Sequence, residues 1–434
     1  MWNAVALSLM GESDVVDWRD LGFTVAMSPK FDGALLSREE RTKLNRILDA
    51  AADGGISVIV RDARATWGGL SQGEEFYRRS YDEAVGQFGT HPAVIGFYVG
   101  DEPDKEALPA AGRACRIQKE LAPTLAPYLN LLPWYERAES LFGVDLSAVQ
   151  GFHGKHPALL GVDERVGFPR CDEYLNGVVE AADPPFLSYD CYSQMLPGRV
   201  GWNMYFNNLR EYAAASQRHG RRFWSTLLCI GHFAYRVPSE DDLRWQLSTS
   251  VAHGASGIMW YYVYLERTRS NYRLPPIDEH GSRTQTFEAL ARVNKTFLGG
   301  PAPSLEQAQL IRAYHTGEAF GGFEAPTEDP VIRLCTSLTG TPMIVSRFAA
   351  TDGSVLVVVV NNSPDSSVLG QLVLNAGEGT PIDSIGWRNE AVPVRRAAYG
   401  YHEIEGGAVI LEWFAPGQMY VYRLTGPSPP SRHD

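Results

Sequence analysis

No stretch of this 434-residue chain approaches the ~18 consecutive apolar residues needed to cross a bilayer, so a membrane-spanning helix is excluded. Basic residues are in deficit: 39 Lys and Arg face 51 Asp and Glu, a formal net charge of −12, which argues against nucleic acid or an anionic membrane as partner. Cysteine is scarce, five residues with no CxxC spacing. An odd number cannot all pair within the chain, so Cys115, Cys171, Cys191, Cys229 and Cys335 read as buried thiols of a reducing compartment. The opening Met1-Trp2-Asn3 lacks a basic leader region, and a cytoplasmic location is expected. His153 and His156 stand three apart in a loop without a third ligand nearby, so no metal and no cofactor is expected.

What is present is a rhythm. Strand-like runs occur at Ala4–Leu9, Thr24–Met27, Ser57–Arg61, Val94–Val99, Ala126–Leu132, Phe186–Tyr192, Phe223–Ile230 and Gly257–Val263. Helical patterns fall between and after them: Arg38–Ala52, Glu74–Phe88, Asp104–Leu121, Asp172–Ala182, Trp202–His219, Glu240–His253 and Arg283–Phe297. Alternation of this kind implies parallel pairing, because each crossover returns the chain to the same end of the sheet. Eight units in residues 1–300 predict an α/β fold, a (β/α)₈ TIM barrel, and the lack of a Gly-rich phosphate loop after any strand disfavours a doubly wound sheet. Tyr135 to Asp172 breaks the rhythm and reads as a long cleft-shaping loop. Beyond Gly299-Gly300-Pro301, short runs at Met343–Ser346, Val355–Asn361, Gln371–Leu374, Ala408–Trp413 and Met419–Leu424 predict a small C-terminal antiparallel β-sandwich over 301–426, with 427–434 as a disordered tail. The sandwich is expected to be a structural appendage. Its Trp387, Tyr399, Tyr401 and Trp413 stay open to three readings: core, the subunit interface of a homo-oligomer, or a sugar platform.

Active sites of parallel α/β folds are built at the C-terminal ends of strands. Those ends collect Asp62, Arg64 and Trp67 after the third strand, Asp101 and Glu102 after the fourth, and Asn130 and Trp134 near the fifth. The sixth adds Asp190 and Tyr192, the seventh His232, and the eighth Trp260, Tyr262 and Glu266. Carboxylates among aromatics suit a carbohydrate: rings stack on the apolar faces of sugars, while carboxylates bind hydroxyls and move protons. Glu102 is the expected general acid, since a like-charged neighbour and partial burial would let it keep its proton near neutrality. Asp190 is the expected partner, Glu266 the second choice, and Asp62 and Asp101 the third; strand alternation should turn Asp101 away from Glu102.

These residues carry a resemblance. The eightfold alternation, the Gly96-Phe97-Tyr98-Val99-Gly100-Asp101-Glu102-Pro103 stretch and the trailing sandwich resemble glycoside hydrolases of the clan A type, whose acid/base Glu closes the fourth barrel strand. Glu there commonly follows Asn, and this chain is similar instead to branches carrying Asp-Glu-Pro. Leu187-Ser188-Tyr189-Asp190-Cys191-Tyr192 resembles a sixth-strand Tyr-Asp-x-Tyr pattern, and Leu243–Gln246 with Ala252–Tyr262 resembles the final helix and eighth strand. The resemblance implies a glycosidase acting on an oligosaccharide or small glycoside. It also implies a nucleophilic Glu on the seventh strand, and Arg222–His232 contains no carboxylate. That departure keeps two alternatives open, a carbohydrate-binding barrel without catalysis and a transglycosidase or lyase built from the same parts.

Overall fold

The computed structural model describes residues 1–135, 161–266, 271–377 and 379–426. The pair His153 and His156, most of the Tyr135–Asp172 loop and the 427–434 tail lie outside the described residues. The chain divides into two compact units, Met1–Val237 with Gly257–Glu288, and Pro238–Ser256 with Ala289–Asp434.

In the first unit, strands β1 (Val25–Met27), β2 (Ser57–Val60), β3 (Val94–Asp101), β4 (Ala126–Leu131), β5 (Phe186–Asp190), β6 (Arg222–Leu228) and β8 (Gly257–Tyr261) pair in that order, all parallel. Two residues of β7 (Gly231–His232) pair with β9 (Tyr272–Arg273) in a small antiparallel ribbon. The strand expected at Ala4–Leu9 is not a regular strand: Ala6 makes one parallel bridge to Lys30, and Leu7–Leu9 is a 3₁₀ turn. The cause is local, because Asn3 Oδ1 accepts the Val5 N–H at 3.0 Å and kinks the chain before a ladder can form. The residues just upstream take the strand's place instead. Trp2 N–H donates to Trp260 O at 3.2 Å on one side, and Met27 N–H donates to Met1 O at 3.1 Å on the other, so the N-terminal segment joins β8 to β1 and completes the barrel.

Helices follow the expected pattern closely. Ser37 caps Arg38–Asp53 in a reciprocal capping box with Glu40, and Leu44, Ile47, Leu48 and Ala51 form the buried stripe. Trp202–His219 stands where its periodicity places it, ending at Gly220 in the left-handed conformation. The helix after β3 starts at Leu108 rather than Asp104, whose side chain instead accepts the Ala107 N–H at 2.9 Å. Inside the barrel the strands present large side chains: Trp2, Met27, Ile59, Tyr98, Tyr128, Leu228 and Met259 form a continuous core, with Phe186 stacked on Trp224 at 4.2 Å. All five cysteines are buried.

The second unit contains the helix Glu240–Ala252 and two antiparallel sheets. With β10 (Ala308–Thr316), β11 (Ile332–Ser337), β12 (Met343–Ala350), β13 (Val355–Asn361), β14 (Val368–Asn375), β15 (Ile382–Ile385), β16 (Ala391–Pro393), β17 (Gly400–Ile404), β18 (Gly407–Phe414) and β19 (Met419–Leu424), the orders are β10-β12-β13-β19-β15-β16 and β11-β14-β18-β17. Their inward faces share one core containing Met343, Val357, Val359, Leu372, Ile410, Phe414 and Tyr422. Half of these strands escaped the sequence reading. Edge runs such as β10, with Gln309, Arg312 and His315, alternate too weakly in hydrophobicity to declare themselves.

Candidate functional site

Three carboxylates meet at the C-terminal ends of β3 and β5. Register explains how. Along β3 and β4 the partners run Tyr98↔Tyr128, then Gly100↔Leu129 and Asp101↔Asn130, with Val99 as an extra residue that bulges the strand. A bulge resets alternation, so Asp101 shares the inward face of Tyr98 although it lies three residues on. The expectation that alternation turns Asp101 away therefore fails at this bulge. The next residue, Glu102, sits at φ 46°, a left-handed conformation uncommon for a non-glycine residue, and its N–H is held by Asn130 O at 2.9 Å. Gly100 is required by close approach: a Cβ there would stand 1.9 Å from the Trp67 ring, which lies against the strand end.

Asn130 links the cluster. Its Nδ2 donates to Asp101 Oδ1 at 3.0 Å and to Asp190 Oδ1 at 2.7 Å. Its Oδ1 accepts from Ser188 Oγ at 3.0 Å, which leaves Tyr128 as donor to Ser188 in the 2.9 Å contact between their hydroxyls. Two oxygens that share one amide nitrogen at these lengths lie within roughly 5–6 Å of each other. Tyr192 adds a side-chain hydrogen bond to Asp190 and stacks on Tyr261 at 5.4 Å, while Tyr235 stands edge-on to Tyr192 at 5.9 Å. His232 is buried against Tyr272, with ring centroids 4.6 Å apart; burial, with the nearby charge of Arg273, lowers its proton affinity to a pKa of about 4 and keeps it neutral.

Burial dominates the electrostatics. It pushes the Glu102 carboxyl up to about 7, helped by the negative charge of Asp101 and opposed by Arg165, whose guanidinium lies 3.7 Å away. Asp101 and Asp190 are raised from the same cause; Asn130 opposes it at both, joined by Arg61 at Asp101 and by Tyr192 at Asp190. Arg165 is itself fixed by donating to the Tyr135 hydroxyl at 2.7 Å, and Arg61 lies over the Tyr98 ring at 4.4 Å. Protein atoms thus favour the proton-retaining state of a three-carboxylate cluster near neutral pH.

The other residues singled out in the sequence go elsewhere. Asp62 is fully buried and satisfied by its neighbours: it accepts Gly33 N–H at 3.1 Å, Arg64 N–H at 3.0 Å and the Arg64 guanidinium at 2.7 Å. Arg64 Nη2 also donates to Gln87 Oε1 at 2.9 Å and its Nη1 lies 3.9 Å from Glu83, so this pair is a buried strut. Trp260 alternates with the core-facing Met259 and Tyr261 and is only 2 % exposed on the other side of β8. Glu266 accepts the Ala6 N–H at 3.0 Å and ties down the N-terminal segment. Tyr262 is a core side chain beside Tyr261. Trp134 is half-buried and packs on Tyr174, its N–H held by Asn208 Oδ1 at 2.6 Å. Sequence reasoning missed Arg61, Tyr135, Arg165 and Tyr235. Arg165 follows a stretch of sequence without hydrophobic periodicity and offers no pattern to find it by, whereas Arg61 stood at a strand end beside Asp62 and was open to selection.

No protein-family model matches the chain, and no curated protein matches its sequence. Solved structures do match. A glycoside hydrolase of family 5 from Bacteroides vulgatus is similar over 98 % of this chain and 88 % of its own, with TM-score 0.52 and 11 % identity. A family 39 glycoside hydrolase from the gut symbiont Bacteroides cellulosilyticus WH2 covers 95 % of this chain and 78 % of its own, with TM-score 0.47 and 13 % identity. For a β-galactosidase from the Antarctic haloarchaeon Halorubrum lacusprofundi the values are 69 % and 58 %, 0.45 and 12 %, so this chain spans little more than half of that protein. At such identities the likeness speaks of fold: a (β/α)₈ barrel with C-terminal antiparallel sheets, the scaffold of glycoside hydrolases.

Proposed function

We propose that this chain is a glycoside hydrolase that cleaves an oligosaccharide or small glycoside, with Glu102 as general acid and Asp190 as its catalytic partner. The observation that carries the reading is the convergence of Asp101, Glu102 and Asp190 at the strand ends, two of them tied to one amide. Breaking a glycosidic bond needs a protonated group for the leaving oxygen and an ionised carboxylate to attack the anomeric carbon or activate water. Glu102, raised to about 7, receives no side-chain amide hydrogen among the described residues and has the Arg165 guanidinium at 3.7 Å, which suits the proton carrier. Burial and its two carboxylate neighbours raise Asp190 as well, but it is the carboxyl that accepts from both Asn130 and Tyr192, and those two hydrogen bonds favour its ionised form as the partner. Asp101 keeps the Glu102 proton affinity high and can accept a sugar hydroxyl. Trp67, Tyr192 and Tyr235 supply rings for the sugar's apolar face.

Glu102→Gln tests the assignment on a panel of aryl glycosides, furanosides included. Turnover of glycosides with poor leaving groups should fall by about 10²–10⁴, with a smaller loss for an activated nitrophenyl leaving group that needs no acid. Equal turnover by both proteins would remove Glu102 from the mechanism. Absence of turnover in the wild type, with sugar binding retained, would favour the carbohydrate-binding barrel; transfer of the sugar to an added alcohol in preference to water would favour the transglycosidase.

A further inference from the structure

We propose that Asn130 is a positioning residue that directs the cluster's proton onto Glu102 by keeping Asp101 and Asp190 as hydrogen-bond acceptors, and takes no part in binding the sugar. The proposal rests on the glycosidase reading for its kinetic consequence alone. Both hydrogens of the Asn130 amide are committed, one to Asp101 Oδ1 at 3.0 Å and one to Asp190 Oδ1 at 2.7 Å, so none is left for a substrate hydroxyl. The amide cannot turn over. Ser188 Oγ donates to its Oδ1 at 3.0 Å, and the flipped form would aim that oxygen at two carboxylates. Asn130 is 1 % exposed, and Ser188 and Tyr128 behind it are fully buried, so the amide is held from a side that water does not reach.

A donated hydrogen bond favours the ionised form of a carboxylate. Among the described residues Asp190 receives two, from Asn130 and Tyr192; Asp101 receives one and has Arg61 nearby; Glu102 receives none from a side-chain amide and has Arg165 at 3.7 Å. The other titratable groups around the cluster among the described residues are Arg165 and the phenols of Tyr98, Tyr135, Tyr174, Tyr212, Tyr235 and Tyr261, and each phenol is held protonated by burial. The donated hydrogens therefore work against a proton on Asp190 most, through two donors, and against one on Asp101 through Asn130, and they leave it to Glu102, whose Arg165 neighbour stands 3.7 Å away. In this way one neutral side chain makes acid and base of two residues that composition alone would not distinguish.

The test compares Asn130→Ala and Asn130→Asp with the wild type. Activity requires Asp190 ionised, so it falls as pH drops through the Asp190 pKa; losing a donor raises that pKa, and the acidic limb of kcat/KM should move up by about one pH unit. The value of kcat should fall more than tenfold with KM within about threefold, because no sugar contact is lost. Asn130→Asp has the same shape but offers acceptors where donors are needed, so it should do no better than alanine; a packing role would be rescued by it. Infrared titration of the carboxyl stretch needs no substrate and should show, in Asn130→Ala, a second protonated carboxyl at a pH where the wild type has one. An unmoved limb, an unchanged infrared titration or rescue by Asn130→Asp would overturn the proposal. Should no glycoside be turned over by the wild type, the glycosidase reading fails and the infrared result alone decides this one. If both Asn130 variants fail to fold, Ser188→Ala, which only unlocks the amide, should move the titration in the same direction by less, and no movement would count against the proposal.

Discussion

Substituting Asp62 by alanine removes the acceptor for Gly33 N–H, Arg64 N–H and the Arg64 guanidinium at once, and leaves a cation that is 8 % exposed without its counter-ion. What remains around Arg64 is Gln87 Oε1 at 2.9 Å and the exposed Glu83 at 3.9 Å, neither able to replace a buried bidentate carboxylate. Breaking such a pair from one side costs about 3–5 kcal/mol. For a unit of this size that is a fall in melting temperature of roughly 6–20 °C. The assay is urea unfolding followed by tryptophan fluorescence, where the midpoint should drop at unchanged slope. The double variant Asp62→Leu with Arg64→Met removes both charges and should recover most of the loss, to within about 2 kcal/mol of wild type. If Asp62→Ala lost less than about 1 kcal/mol while glycoside turnover collapsed, the strut would be refuted and the ligand role expected from its strand-end position restored.

Asp101→Asn removes the charge that helps hold the proton on Glu102. The acid form of Glu102 is lost as pH rises through its pKa, so the alkaline limb of kcat should move down in this variant, measured as a pH–rate profile on one aryl glycoside. In the second unit, His253 and His315 share a 3.1 Å contact between their Nε2 atoms, and burial lowers the proton affinity of both, His253 to about 4. The unfolded chain takes up these protons below the ordinary value near 6.5, so their contribution to stability is whole above it and lost as pH falls toward 4. Calorimetry at pH 8 and pH 5 should show about 2 kcal/mol lost through His253 alone, and a His253→Gln variant should flatten that dependence.

The barrel was legible because every crossover repeats one demand on composition: a strand buried on both faces, then a helix with a single buried stripe. Where a strand is flanked by a side chain that competes for backbone hydrogens, as Asn3 does for Val5, the pattern misleads by several residues. Glu102, Asp190 and Asn130 were visible as polar residues at the ends of apolar runs. Their connection was not, since strand spacing says which ends are neighbours but not that an extra residue in β3 rotates Asp101 into the mouth. Asp62 and Arg64 were visible for the same reason and turned out to satisfy each other two residues apart, a local geometry that residue type leaves undecided. Arg165 was out of reach, because the sequence before it carries no periodicity from which its 3.7 Å approach to Glu102 could be read.

Val99 is a spare residue. On either side of it β3 runs in step with β4, Tyr98 beside Tyr128 and Asp101 beside Asn130. Deleting Val99 should therefore leave both pairings intact and draw the strand straight with Gly100 opposite Leu129, whereas deleting Gly100 would keep the register but set the Val99 side chain where the Trp67 ring lies. The chain thus has one residue of length to spare here, and the glycine has to be the one that stays. Any chain compared with this one should be aligned on Asp101-Glu102 and Asn130, and allowed to gain or lose a single residue just before them.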